Sequence, residues 1–349
     1  MQTDIRTLPK RGVAPAWTLL LLAPIVAELL SGATRISTIF ALVPEIMTWG
    51  CGALIIREMA RRRKLGWPSL LLMGLALSIA EEFLIQQTSL APLPWLHSIH
   101  TYGRALGVNW LYFLFMLGYE SVWVVLVPVS LTEFIFHKRR EDPWLRLRGL
   151  IIAALFFILG SFIAWYAWIK RVRPMIFHAP FYRPPWFTLL IGALAIVALV
   201  AFALTRRPRQ PRVSRTSPPP PWLLGLLAVV LGLPWYGLLT PVFSPNAKLH
   251  ALPLWVPMVI GIAWFAMIFF LIRHWSSGTG WSDAHRYALT FGAMLVPMIG
   301  GFSGSGSWLR IDLVGKSVLD VIAVLLLIAL GRAVRDRSSQ ASAPRAADI

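Results

Sequence analysis

The chain has 349 residues, 57% of them hydrophobic and only 14% charged, with 17 Trp and a formal net charge of +18. That balance excludes an ordinary soluble domain and fits a polytopic membrane protein. The basic residues stand in short clusters between apolar runs, so the charge speaks for membrane topology and anionic lipid headgroups at the cytoplasmic face rather than for nucleic acid as a partner. A single cysteine, Cys51, rules out an internal disulfide framework.

A membrane span needs about 20 apolar residues. Ten candidates follow one another at 16–33, 37–57, 67–90, 109–133, 149–170, 186–204, 222–241, 253–272, 285–302 and 313–334. The fold class expected is therefore all-α: a transmembrane helical bundle of about ten spans. The first apolar run follows Arg6, Lys10 and Arg11 as in a signal peptide. It lacks a small-residue cleavage site and carries Glu28, so it reads as a retained span. With both termini cytoplasmic, 24 of the 33 Lys and Arg residues fall on the inner side, as the positive-inside rule requires. The location expected is the cytoplasmic membrane of a bacterium.

The chain divides by composition. Residues 1–142 hold four spans bearing acidic residues, and 143–204 hold spans five and six. Residues 205–221 (TRRPRQPRVSRTSPPPP) read as an extended basic linker, 222–335 as the last four spans, and 336–349 as a polar, disordered tail. No Asp or Glu occurs between Asp142 and Asp283, and Asp320 is the exception in the later spans. The first four spans are thus expected to build a site that the others brace.

Five carboxylates carry that expectation: Glu28, Glu45, Glu81, Glu82 and Glu120. A charge at bilayer depth costs several kcal/mol, so such residues mark function. A rise of about 1.5 Å per residue puts all five in one band, from the midplane into the outer half of the bilayer. Each lies on a face of small or polar residues: Thr38, Ala41, Glu45, Thr48 and Gly52 in span two; Ser78, Glu82 and Gln86 in span three; Asn109, Met116 and Glu120 in span four. Such faces turn towards other helices or a water-filled cavity.

Five ionised carboxylates in one dry layer repel. Three remedies are open: retained protons, a bound cation, or arginines reaching in, with Arg35 and Arg104 the nearest. His97 and His100 are spaced i, i+3 beside the layer and offer, with two glutamates, ligands for a divalent metal such as zinc. Glu58 and Glu133 read as structural residues at the membrane edge, Glu58 with Arg61 and Arg62 at i+3 and i+4, and Glu133 snorkelling to the surface.

The segment SIAEEFLIQ, from Ser78 to Gln86, resembles the first motif of the CAAX-processing and bacteriocin-protection family of intramembrane glutamate proteases. That resemblance implies that Glu81 activates water and Glu82 supports it. The second motif would fall at Phe115–Glu120. Two positions depart: Gln86 stands where the family has arginine, and Tyr119 where it has histidine. Elsewhere the chain has no HExxH and no Walker A motif. Gly301-Phe-Ser303-Gly304 is similar to the rhomboid serine motif, but no histidine follows it, and GFSGSGS reads as a flexible outer loop.

Three readings follow from these residues. One is an intramembrane hydrolase, with Glu81 as base and Glu120 in place of the missing histidine. The second is a proton- or cation-coupled transporter or channel, with Glu28, Glu45, Gln86, Asn109, Tyr119 and Arg104 along the pathway. The third is a membrane subunit without catalysis.

Overall fold

The computed structural model describes residues 12–94, 102–206, 217–243 and 247–342. Each predicted span is matched by one helix: α1 (Ala14–Leu29), α2 (Ile36–Arg62), α3 (Trp67–Ile85), α4 (Trp110–Ile135), α5 (Leu147–Met175), α6 (Trp186–Thr205), α7 (Pro221–Phe243), α8 (Trp255–Ser276), α9 (Asp283–Gly300) and α10 (Arg310–Ser342). Among the described residues, eight of these are long and apolar enough to cross a membrane; α1 is shorter, and α9 is the other that falls outside that set. A two-stranded ribbon, β1 (Arg104–Ala105) paired antiparallel with β2 (Val108–Asn109), leads into α4.

Local chemistry sets the helix ends. Proline opens α1, α3 and α7 in the first turn, where its missing N–H is no loss. Ser282 and His285 close a capping box at the start of α9. Two helices stop earlier than the hydropathy suggests. Leu29 ends α1, because Ser31 turns its hydroxyl back to the Ala27 carbonyl and Gly32 takes a φ of 77°. Ile85 ends α3, because Gln87 is left-handed at φ 58°. The segment GFSGSGS is an ordered 3₁₀ helix, Gly301–Ser307, rather than a loose loop, and Gly301 packs on the Ser31 carbonyl.

Helices α3 and α4 are the innermost, and α2 is half enclosed. Packing is close where small residues allow it, as expected when apolar helices gain little by leaving lipid. Pro24 has no N–H to give Leu20, and the freed Leu20 carbonyl lies against Gly50 of α2, where any Cβ would collide with it. In α9 the carbonyl that Pro297 leaves without a partner, Ala293 O, accepts the Trp123 indole N–H at 2.8 Å. Gly225, Ala228 and Gly232 of α7 seat against Gly292 and Val296 of α9. Helix α10 is pinned to the α1–α2 turn by Asp312, which accepts from Ser37 N (2.9 Å) and Ser37 Oγ (3.0 Å). Lys316 adds bonds to Leu30 O (2.6 Å) and Asp320 (2.7 Å).

The positively charged end of the bundle corrects the reading of Glu133, which does not snorkel: its side chain is fully buried. Glu58 is also fully buried, and its expected i, i+4 partner Arg62 lies at 3.5 Å. Glu133 accepts from Arg61 Nε and Nη2 (both 2.8 Å) and Arg286 Nη2 (2.6 Å), with Arg57 Nε at 3.4 Å. Glu58 holds the segment that leads into α5, accepting from Trp144 N (2.7 Å) and Leu145 N (3.3 Å). Arg57 is itself fully buried. It donates to Asp142 O (2.6 Å), Arg140 O (2.7 Å) and Glu58 (3.1 Å), and its guanidinium lies 3.5 Å from the centre of the Trp144 ring. The node locks α2, α4, α9 and the 137–146 connection together. Glu133→Ala leaves three arginines without their shared acid, so a loss of about 3–5 kcal/mol is expected in denaturant titrations in mixed micelles. Gly50→Leu should fail to fold, read as aggregation on extraction.

Candidate functional site

All four helices that bear the predicted acids depart from regular α geometry at those acids. Wide π turns run over Ile25–Leu29 (holding Glu28), Ile46–Gly50 (directly after Glu45), Ala80–Ile85 (holding Glu81 and Glu82) and Glu120–Leu126 (opening on Glu120). A fifth, Trp168–Val172, has no acid. A π turn inserts one residue, frees backbone groups and re-aims the side chains that follow; such turns gather at functional sites.

The five acids meet. Glu45, Glu81, Glu82 and Glu120 are buried, and Glu28 is half-buried. Glu28 feels Glu45; Glu81 feels Glu82, Glu28 and Glu45; Glu120 feels Glu81, Glu82 and Glu28. Among the described residues, none of the five is in an ion pair with Lys or Arg. Two acids have hydroxyl partners: Thr34 Oγ donates to Glu45, and Ser89 Oγ donates to Glu82 at 2.6 Å. Both oxygens of Glu81 and of Glu120 are buried and accept no hydrogen bond among the described residues; the Ser78 hydroxyl faces Glu120.

The other predicted site residues take different places. Tyr119 stands beside Glu28, but its hydroxyl donates to the Ala27 carbonyl of α1, and its ring stacks on Phe115 at 5.5 Å between centroids. Gln86 is half-buried, and its side chain makes no hydrogen bond among the described residues; its backbone N–H closes the π turn onto Glu81 O at 2.9 Å. Arg104 and Asn109 form a clamp rather than a lining. Arg104 donates to Asn109 Oδ1 and to Leu90 O, both at 2.8 Å, and Asn109 Nδ2 donates to Thr88 O (2.9 Å) and Ala91 O (2.7 Å). The Asn109 amide N–H also reaches Ser89 O at 2.7 Å. The clamp fixes the 86–94 loop and so holds the Ser89 hydroxyl on Glu82. Arg35 lies over the Trp308 ring, 5.1 Å from its centre. His97 and His100 lie outside the described residues.

Tyr112 was not anticipated. Its hydroxyl lies in the field of Glu82, Glu120, Glu28 and Glu81, which makes it a member of the cluster. The signal was present: Tyr112, Met116 and Glu120 follow one another at the spacing of four that defines a helix face. Tyr236 of α7 was missed as well; it packs edge-on against Phe115 and Tyr119 and faces Glu28. No sequence pattern ties a residue so far along the chain to α1.

The donor set is hard oxygen throughout, which suits protons and cations such as Na⁺ or Mg²⁺ better than soft metals. Among the described residues, no three His, Cys, Asp or Glu are grouped so as to hold a metal ion. Compared with family models, curated proteins and solved structures, the chain matches none. Asn109→Ala would leave two buried loop carbonyls and Arg104 without their partner. It should cost about 1–3 kcal/mol and speed amide exchange across 86–94 relative to the rest of α3.

Proposed function

We propose that this chain is an integral membrane protein whose five-glutamate layer takes up and releases protons, coupling that exchange to the movement of a substrate across the bilayer. One observation carries the reading. Carboxylates from four helices lie within one another's electrostatic reach, four of them buried, and among the described residues none of the five is in an ion pair with Lys or Arg. Such a layer is close to electroneutral only when it holds protons or a mobile cation, and acids that face one another inside a membrane are the usual parts of proton relays. Glu81 and Glu120, with unengaged oxygens, are the groups that exchange the proton. Glu45 and Glu82, each held by a hydroxyl, fix the layer's geometry, and Glu28 with Tyr112 completes it. Eight helices long and apolar enough to cross a membrane support the membrane location, and the charge asymmetry of the loops favours cytoplasmic termini; ten spans and a bacterial cytoplasmic membrane belong to the proposal.

The adjacency of Glu81, Glu82 and Glu120 also favours a second reading, hydrolysis, in which paired carboxylates activate water. It has less support. In the resembling protease family histidine occupies the place of Tyr119, and here that hydroxyl is spent on the Ala27 carbonyl.

Infrared difference spectra of the purified protein over a pH titration test the first reading without knowledge of the substrate. Carbonyl bands of protonated carboxyl groups are expected at neutral pH, diminished in Glu81→Gln and Glu120→Gln. Proteoliposomes carrying an internal pH dye should show proton flux that both variants lose. A spectrum with all five groups ionised at neutral pH would overturn the proposal. Cleavage of membrane peptides by the wild type, lost in Glu81→Gln, would select hydrolysis instead.

A further inference from the structure

A second feature of the bundle lies apart from the acid layer. A cavity of about 510 Å³ opens between α3, α4, α7, α8 and α9. Its size falls within the range of roughly 300–1,000 Å³ typical of small-molecule sites. On α4 it is lined by Gly118, Val122, Trp123, Leu126 and Val127, and none of the five glutamates is among its lining residues.

The cavity is built from two kinds of surface. Its walls are apolar side chains such as Leu70, Leu231 and Ile268; its rim carries Arg61, Lys64 and Arg286, with one acid, Glu141, and three tryptophans, Trp67, Trp275 and Trp281. Tryptophan and clustered basic residues at one level are the signature of the membrane–water interface. The same rim belongs to the loops in which Lys and Arg concentrate, so it faces the anionic leaflet of the proposed topology. Glu133 lies behind it and takes part of the charge of Arg61 and Arg286. Glu141 is 73% exposed and leans on Arg140 at 3.6 Å. Among the described residues of the rim, Lys64 is the cation without an acid partner.

Lys64 also occupies a position that its own backbone disfavours. It follows the end of α2 with φ 54°; its N–H bonds to Arg61 O at 3.1 Å, and Leu65 N bonds to Ala60 O at 2.9 Å. That pair of bonds is the Schellman motif, whose left-handed residue is usually glycine. Lys64 is exposed, and its side chain makes no hydrogen bond or ion pair among the described residues. The fold has no visible use for the ammonium group, yet it stands on the rim of an apolar chamber.

We propose that this cavity binds an anionic phospholipid of the cytoplasmic leaflet. An acyl chain lies along α4 and α7 among Val122, Leu126 and Leu231, and the phosphate is met by Lys64 and by the outward N–H groups of Arg286. Arg61, committed to Glu133 and to Leu65 O, adds field more than contact. The site is independent of proton exchange at the glutamates, so failure of either proposal leaves the other standing.

Lys64→Gly separates charge from folding, because glycine relieves the left-handed backbone while it removes the ammonium. Native mass spectrometry of the full-length protein, supplied with equal phosphatidylglycerol and phosphatidylcholine of matched chains, reads the preference directly. The wild type should retain phosphatidylglycerol several-fold over phosphatidylcholine, Lys64→Gly should lose most of that preference without a lower Tm in phosphatidylcholine, and Lys64→Arg should restore it. Equal retention of the two lipids by the wild type, or undiminished preference in Lys64→Gly, would overturn the proposal. So would displacement of the lipid by glycerol phosphate at matched concentration, which would place the ligand's whole recognition in the phosphate.

Discussion

Charge enclosed by apolar helices costs several kcal/mol unless something neutralises it, and this chain meets that constraint in two opposite ways. At the basic end of the bundle Arg57, Glu58, Arg61, Glu133 and Arg286 neutralise one another through short, directed bonds. Deeper in the bundle, five glutamates lie within one another's electrostatic reach, and among the described residues none pairs with Lys or Arg. The first arrangement is closed: each acid there has its donors in place. In the second, both oxygens of Glu81 and of Glu120 accept no hydrogen bond among the described residues.

The rest of the fold serves this contrast. The arginine node ties α2, α4 and α9 at one level and anchors the 137–146 connection. At the other end, Asp312, Lys316 and Asp320 tie α10 to the α1–α2 turn, and Arg104 with Asn109 clamps the 86–94 loop. Between these polar belts the helices approach through glycines and prolines. Pro24 and Pro297 each free a carbonyl that another helix then uses, Leu20 O against Gly50 and Ala293 O with the Trp123 indole. The π turns, which cost backbone regularity, fall where carboxylates must converge. The proposed proton exchange would need groups that are held in place but not fully bonded, and the polar belts at the two ends hold the helices that carry them.

Helix α4 takes part in both features. It brings Gly118, Val122 and Leu126 to the apolar chamber, and Tyr112 and Glu120 to the acids, and none of the five glutamates lines the chamber.

Helix number, order and approximate limits were legible in the sequence, because a run of apolar residues long enough to span a membrane is a local property. The polar faces of α2, α3 and α4 were legible for the same reason: a helix repeats every 3.6 residues, and Ser78, Glu82 and Glu120 declare their faces by spacing alone. What surrounds a side chain is not local. Whether Glu133 reached water or three arginines depended on the approach of Arg57, Arg61 and Arg286 from two other helices. Whether Arg104 touched a carboxylate or clamped a loop depended on the fold of the 86–94 segment. Tertiary packing alone decided that the acids of four successive helices come within reach of one another, and that among the described residues none of them pairs with Lys or Arg, since that rests on distances between helices and on π turns that no residue preference announces.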